Sequence, residues 1–302
     1  MSDEDKFKAR VSGGEQGWKD IVSLVGDLPP MPAVAARAVQ LVEDPTITAK
    51  KLTDVLANDA ALAARILKIA NSAMFARQRE ITTLTQALMT IGFKSLKGIV
   101  VAAAVRQINQ NSSHLNKLVW QISVGTAIAS TLIATTLQKR YREEIYIMGL
   151  LHSLGQIVFL NSKKSEKRYP EAFALIAKEG KTFSQAEQEI FGFAHPLLGA
   201  LVAKKWNFSE ETCDVILHYC DPLLGAKAES DLYEKIAIVK LGDMLTRYSG
   251  ICPIEGYPNE DSDLEKTMSY LGLLEGTKFK DRLQDLSASL KERYDFDAHV
   301  YE

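Results

Sequence analysis

Ile145-Tyr146-Ile147-Met148-Gly149-Leu150-Leu151-His152-Ser153-Leu154-Gly155-Gln156-Ile157-Val158-Phe159-Leu160-Asn161 contains no charged residue. A run of this kind belongs inside a protein or a membrane. It is short for a span, holds two glycines, and puts apolar residues on every side of a helical wheel. The preceding stretch, 118–138, is also uncharged, but it carries Gln121, Ser123, Thr126, Ser130, Thr131, Thr135 and Thr136. Those groups are costly against lipid. The two stretches therefore read as buried central helices of a soluble bundle, and no membrane is implied.

Working outward, apolar residues recur at spacings of three and four nearly throughout, and nothing alternates as a strand would. Trp18, Ile21, Val22 and Val25 form one stripe, which Leu28-Pro29-Pro30-Met31-Pro32 ends. Pro32 can open the next helix, and Asp44-Pro45 closes it. Asp59 precedes the stripe of Leu62, Ile66, Leu67 and Ala70, and Gly92 reads as a helix C-cap. Ser184 with Glu187 reads as a capping box, Pro196 opens a helix, and Ser209 begins another. The expected fold is all-α, a two-lobed multi-helix bundle. Residues 1–15 are expected to be a flexible tail and 16–112 a first helical lobe. A polar break, Gln110-Asn111-Ser112-Ser113-His114, leads into a second lobe over 113–250. Residues 251–302 are an exposed Gly/Pro-rich loop and a C-terminal helical extension.

With 46% apolar and 25% charged residues, the 302-residue chain has the composition of an ordinary globular protein. A net charge of −2 gives no footprint for nucleic acid. Three cysteines without a CxxC argue against a disulfide framework or a zinc knuckle. The charged N-terminus lacks an apolar signal core, so the cytoplasm is the expected compartment.

Of the five histidines, His114 and His299 sit in polar stretches. His152 lies between Gly149 and Gly155, which leave room for a bound group or a closely packed helix. It can be a hydrogen-bonded core residue or a metal ligand. His195, before Pro196, can be a cap or a ligand. His218 follows Glu211 and Asp214 on one helix face, and its plain reading is a solvated pair with them. Asp243 falls within the apolar stripe of Leu232, Ile236 and Val239 and needs a partner. Lys240 is the ordinary choice; a histidine or a metal is the other.

Leu28-Pro29-Pro30-Met31-Pro32, then Asn58-Asp59-Ala60-Ala61-Leu62 through Ile66-Leu67-Lys68-Ile69-Ala70-Asn71-Ser72-Ala73, resembles the "LPxLP … DPxLxxxLLxxxNSA" signature of the HDOD family. Those proteins are relatives of the HD and HD-GYP metal-dependent phosphohydrolases of bacterial signalling. Ala60 stands where the family has proline. Ala87-Leu88-Met89-Thr90-Ile91-Gly92 resembles its "AIxxLG" segment, and the likeness runs through residues 20–245. The resemblance implies an HD-like second lobe with a depleted ligand set. Ile122 stands at the first histidine, His152-Ser153 at the HD doublet, Ala194 at a position often acidic, and His218-Tyr219 at the later histidine pair. His152, His195, His218 and Asp243 survive as metal candidates, and Gly149, Ser153, Gly155 and Tyr219 as lining of a ligand pocket. Gly256-Tyr257-Pro258 spells the GYP of the HD-GYP enzymes but falls far beyond His218, and reads as coincidence.

These residues lead to the expectation of a catalytically inactive signal-transduction or regulatory module that binds a protein or a small ligand. The alternatives are a divergent metal-dependent phosphohydrolase or phosphodiesterase and a nucleotide-binding sensor without hydrolysis. No cofactor is expected, or at most one divalent ion (iron, zinc or manganese). The expected partner is a signalling protein in trans, with a nucleotide as the other ligand.

Overall fold

The computed structural model describes residues 3–301 except 28–30, 43, 72–79, 110–112, 224–229 and 259. Among the described residues there are sixteen helices and no strand, so the fold is all-α. Helices α1 (Asp3–Lys8) and α2 (Gly14–Asp27) precede a first group: α3 (Ala33–Val42), α4 (Ala49–Leu56), α5 (Ala60–Ala70) and α6 (Leu84–Ile108). Asp59 caps α5 by accepting from Leu62 N at 2.9 Å. Asn71 then donates to Ile81 O and accepts from Ile81 N, both at 2.8 Å. The motif asparagine thus joins the two ends of the α5–α6 connection. Gly92, at φ +80°, breaks α6 into two arms bent by 114° relative to one another. The motif residues Leu28, Pro29, Pro30, Ser72 and Ala73, and the break at Gln110-Asn111-Ser112, lie outside the described residues.

The second group is built round α7 (His114–Thr136), flanked by α8 (Arg142–Leu151), α9 (Leu154–Asn161) and α14 (Asp231–Tyr248). α10 (Tyr169–Glu179), α11 (Phe183–Phe191), α12 (His195–Lys205) and α13 (Glu210–His218) complete it. α7 has the length and hydropathy of a membrane span, yet 83% of its most apolar window is buried, so its apolar surface is used on other helices. α15 (Asp261–Tyr270) packs on α14, and α16 (Phe279–Tyr301) runs across α7, α14 and α5. One continuous apolar core links both groups.

Three expectations are corrected. The uncharged run over 145–161 is two helices rather than one: the chain turns at His152 and Ser153 because α9 must bring Gly155 flat against α12. A Cβ at Gly155 would lie 2.1 Å from His195 O. Within the tail expected over 1–15, the described residues are held in place: Phe7 is buried, and Lys6 and Arg10 pair with Asp214 and Asp221. α2, expected with the first lobe, packs on α9 and α12.

Candidate functional site

His152 caps the C-terminus of α8 and is 1% exposed. Its Nδ1 lies 2.6 Å from Gly149 O. A carbonyl can only accept, so Nδ1 carries a proton and Nε2 is aimed at Asp243 Oδ1, 3.5 Å away. The ring also meets Tyr219 edge-on at 5.0 Å. Asp243, on α14, is 7% exposed. Burial alone would raise its pKa, but the Arg247 charge and His152 hold the carboxyl well below the usual range.

Arg247 lies one turn beyond Asp243 and its Nη1 donates to Oδ1 of that residue. Its other edge reaches Glu260 Oε2 through Nη2 at 2.7 Å and Nε at 3.2 Å. The guanidinium rests over the Tyr257 ring, 4.6 Å from the centroid. One buried and one partly buried carboxylate and an aromatic face thus enclose one cation. Lys240, one of the two kinds of partner open to Asp243, instead donates to Asp221 O at 3.3 Å.

His195 opens α12. Its backbone N–H and its Nδ1–H both reach Glu187 Oε2, at 2.7 and 2.6 Å, and Tyr169 OH donates to Glu187 Oε1 at 2.6 Å. Its Nε2 meets Tyr219 OH. Burial would depress the His195 pKa, but the Glu187 carboxylate outweighs it and the value is pushed up to about 10. A protonated imidazole has no lone pair for a metal. Glu187 does not cap α11, as Ser184 with Glu187 suggested. Thr182 and Gln185 form that capping box, which frees the Glu187 carboxylate to turn inward.

The remaining predicted residues are placed differently. Ser153 is fully buried and does not line the cavity: Ser123 donates to Val119 O, so Ser153 must donate to Ser123. Ile122 is core, 1% exposed. Gly149 and Gly155 serve helix crossings, since a Cβ at Gly149 would lie 2.9 Å from Ala127 Cα. His218 is one-third exposed and turned to Asp221 and Arg10, with Nδ1 at 2.8 Å from Asp221 Oδ2. Glu211 and Asp214, its expected partners, pair with Lys235 and Lys6. The four metal candidates are therefore not one cluster. Among the described residues, no three His, Cys, Asp or Glu side chains are grouped to hold a metal.

Ile122, His152, His195, Tyr219, Asp243 and Arg247 line a cavity of about 100 Å³, and Tyr257 and Glu260 close it from the 251–260 segment. That segment, expected to be an exposed loop, is part of the site because Arg247 draws Glu260 and Tyr257 onto it. The charge balance does not suit a divalent ion. An ion on Asp243 Oδ1 would sit roughly 4 Å from the guanidinium, and even unit charges at that separation repel by about 4 kcal/mol at an effective dielectric near 20. Of the residues that make the site, Arg247 and Glu260 are not singled out in the sequence, Glu187 reads as a helix cap, and Tyr257 as part of a coincidental motif. The spacing of Arg247, four beyond Asp243, was the available signal.

A profile of the HDOD domain matches residues 28–222, well over half of the chain. An uncharacterised protein of Treponema pallidum (strain Nichols) is 25% identical over 250 residues, covering 79% of this chain but 46% of its own length. The chain thus spans less than half of that relative. The crystal structure of an HDOD domain protein of unknown function from Geobacter sulfurreducens aligns with a TM-score of 0.75 at 26% identity, over 95% of this chain and 97% of that one. A candidate phosphohydrolase from Shewanella amazonensis SB2B aligns at 0.68 and 23% identity, over 93% and 96%, which shows a shared fold. Because the family profile covers well over half of the chain, from just before α3 to just past α13, this chain belongs to the HDOD family.

Proposed function

We infer that the chain is a non-catalytic regulatory module of signal transduction that works by binding a partner protein. The observation that carries this reading is the turn at His152-Ser153. His152 faces the cavity, while the next side chain, where an HD hydrolase places its carboxylate, is a hydroxyl bonded away to Ser123. Ile122 adds an apolar wall where a ligand would be needed. Two-metal hydrolysis rests on a carboxylate at that point to hold or bridge the ions, and this chain has none to offer there.

The cavity's size favours a protein over a nucleotide. About 100 Å³ is well below the ~300–1,000 Å³ of pockets that bury a drug-sized ligand. No cofactor is needed for this role, and the partner comes in trans. The test is phosphodiesterase and phosphatase turnover by purified full chain loaded with Mn²⁺, Fe²⁺ or Zn²⁺. The expected result is no turnover above a metal blank, and none gained from nucleotides in thermal stability. Turnover that disappears in His152→Ala would overturn the reading.

A further inference from the structure

α1 and the turn after it put Lys6, Phe7 and Arg10 on one face, since Ala9 N donates to Asp5 O and Arg10 N to Phe7 O, both at 3.1 Å. That face lies along α13. Lys6 pairs with Asp214, and Arg10 with Asp221 in the turn that follows the helix. Arg10 also donates to Leu217 O at 3.4 Å, among the last carbonyls of α13, where a helix end favours a cation. Phe7 is buried between the two cations, with the Lys204 ammonium of α12 over its ring. One apolar anchor flanked by two cations thus meets an apolar seat flanked by two carboxylates. The hold is light. Phe7 is the one buried side chain within residues 5–12, and ion pairs about one-third exposed contribute little. Directly behind the segment, Gly13 and Gly14 both take left-handed backbone, at φ +87° and +59°, and form a joint that only glycine supplies at low cost.

We propose that the face of α12 and α13 beneath residues 5–12 is the docking surface for the partner protein. It takes a partner segment carrying an aromatic side chain with a Lys or Arg one residue before it and another three residues after it. Residues 5–12 hold the surface in cis, and the partner displaces them. This deepens the reading of a protein-binding module and rests on it. The partner's chemistry follows from what the surface holds now. Asp214 and Asp221 disfavour an acidic segment, and the seat of Phe7 disfavours a wholly polar one. Lys8 is outside the pattern, because it turns away to the Trp18 ring and Glu15 of α2. Displacement reaches the cavity because the same segment holds both turns that feed it. Ser12 N donates to Gly192 O at 2.7 Å, ahead of His195, and Arg10 holds Asp221, just beyond Tyr219.

The experiment uses the full chain with Lys6→Glu, Phe7→Ala and Arg10→Glu combined, which sets new carboxylates against Asp214 and Asp221 and releases the segment. Three fluorescent peptides are titrated by anisotropy: residues 3–12 in natural sequence, the same length with only Lys6, Phe7 and Arg10 kept among alanines, and the natural peptide with Phe7→Ala. The first two are expected to bind the released chain at one equivalent. They should bind it roughly tenfold or more tighter than wild type, whose own segment competes at high effective concentration. The Phe7→Ala peptide should bind more weakly, and added salt should weaken all three. Where the triple variant does not fold, Lys6→Glu/Arg10→Glu carries the same comparison. A folded released chain that binds no peptide, or binds no tighter than wild type, overturns the inference. Natural peptide bound without the alanine-framed one overturns the stated partner chemistry. A wild-type dimer that the release variant turns into a monomer gives the surface to a second copy and overturns the partner assignment. Each of these leaves the non-catalytic reading, which turnover tests, intact.

Discussion

Glu187 is completely buried and accepts three hydrogen bonds, from Tyr169 OH, His195 N and His195 Nδ1. A carboxylate so placed is stable only while its partner stays charged. Folded His195 keeps its proton up to about pH 10, while the unfolded chain releases it near 6.5. The stabilisation is therefore fully present below pH 6.5 and is lost as pH rises towards 10, with a limiting slope of about 1.4 kcal/mol per pH unit. Glu187→Gln should remove about 3 kcal/mol at pH 6 and flatten that decline. Urea unfolding at pH 6, 7.5 and 9 checks both; a variant whose pH slope matches wild type would refute the pairing. Legibility at this scale was mixed. His152 and Asp243 stood out because each is a polar group in an apolar run, and the fold brings them within 3.5 Å. Glu187 did not, because three residues after a serine it could be read as a local cap. A local bond and one to a residue eight positions away leave the same trace in sequence.

Among the elements, contact distances are set by glycines. α8 and α14 both approach α7 at residues without a side chain: a Cβ at Gly149 would lie 2.9 Å from Ala127 Cα, and one at Gly242 would lie 2.4 Å from Ser130 Oγ. At α9 the neighbour is backbone, since a Gly155 Cβ would fall 2.1 Å from His195 O. A carbonyl at a helix start cannot yield as a flexible side chain does. Gly155→Ala should therefore destabilise by about 3 kcal/mol or more and displace His195. Gly26→Ala, in α2 with no atom within 4 Å of the added methyl, should be stabilising by about 0.5–1 kcal/mol through helix propensity. Denaturant midpoints decide: equal effects from the two substitutions would mean that the α9–α12 contact is looser than described. Periodicity made most of these elements visible, down to Asp59 and Ser209 as caps. It could not show the break between α8 and α9. A run that is apolar all round has no stripe whose phase could change, and the turn is dictated by α12, a distant segment.

Over the whole molecule, the two helical groups could be anticipated because each has its own apolar periodicity, and the family signature spans both. The course of the N-terminal segment could not, since its anchors are spread over distant positions. Phe7 is buried under the ammonium of Lys204, 5.5 Å from its ring. Lys6 pairs with Asp214, and Arg10 with Asp221. Ser12 N donates to Gly192 O at 2.7 Å, and Gln188 Nε2 donates to Ser12 Oγ at 2.6 Å. Gly192 lies in the turn that delivers His195, and Asp221 follows Tyr219, so the segment fastens both turns that feed the cavity. The half-exposed ion pairs contribute little by themselves; burial of Phe7 and the backbone bond give the segment its hold. Deleting residues 1–12 should therefore loosen these turns selectively. In hydrogen exchange, amides over 192–197 and 217–222 should lose protection, while those of α3–α6 keep theirs. Arg10→Ala should give the same pattern more weakly near 217–222, because it removes the Asp221 contact and leaves Phe7 in place. Burial would raise the Asp221 pKa, but His218 and Arg10 lower it to about 2 against an ordinary 3.8. The stabilisation from that contact is thus present above pH 3.8 and is lost as pH falls towards 2. Wild type and Arg10→Ala should converge over that acid range. Exchange that rises uniformly across the molecule, or not at all, would show that the segment does not act on the site.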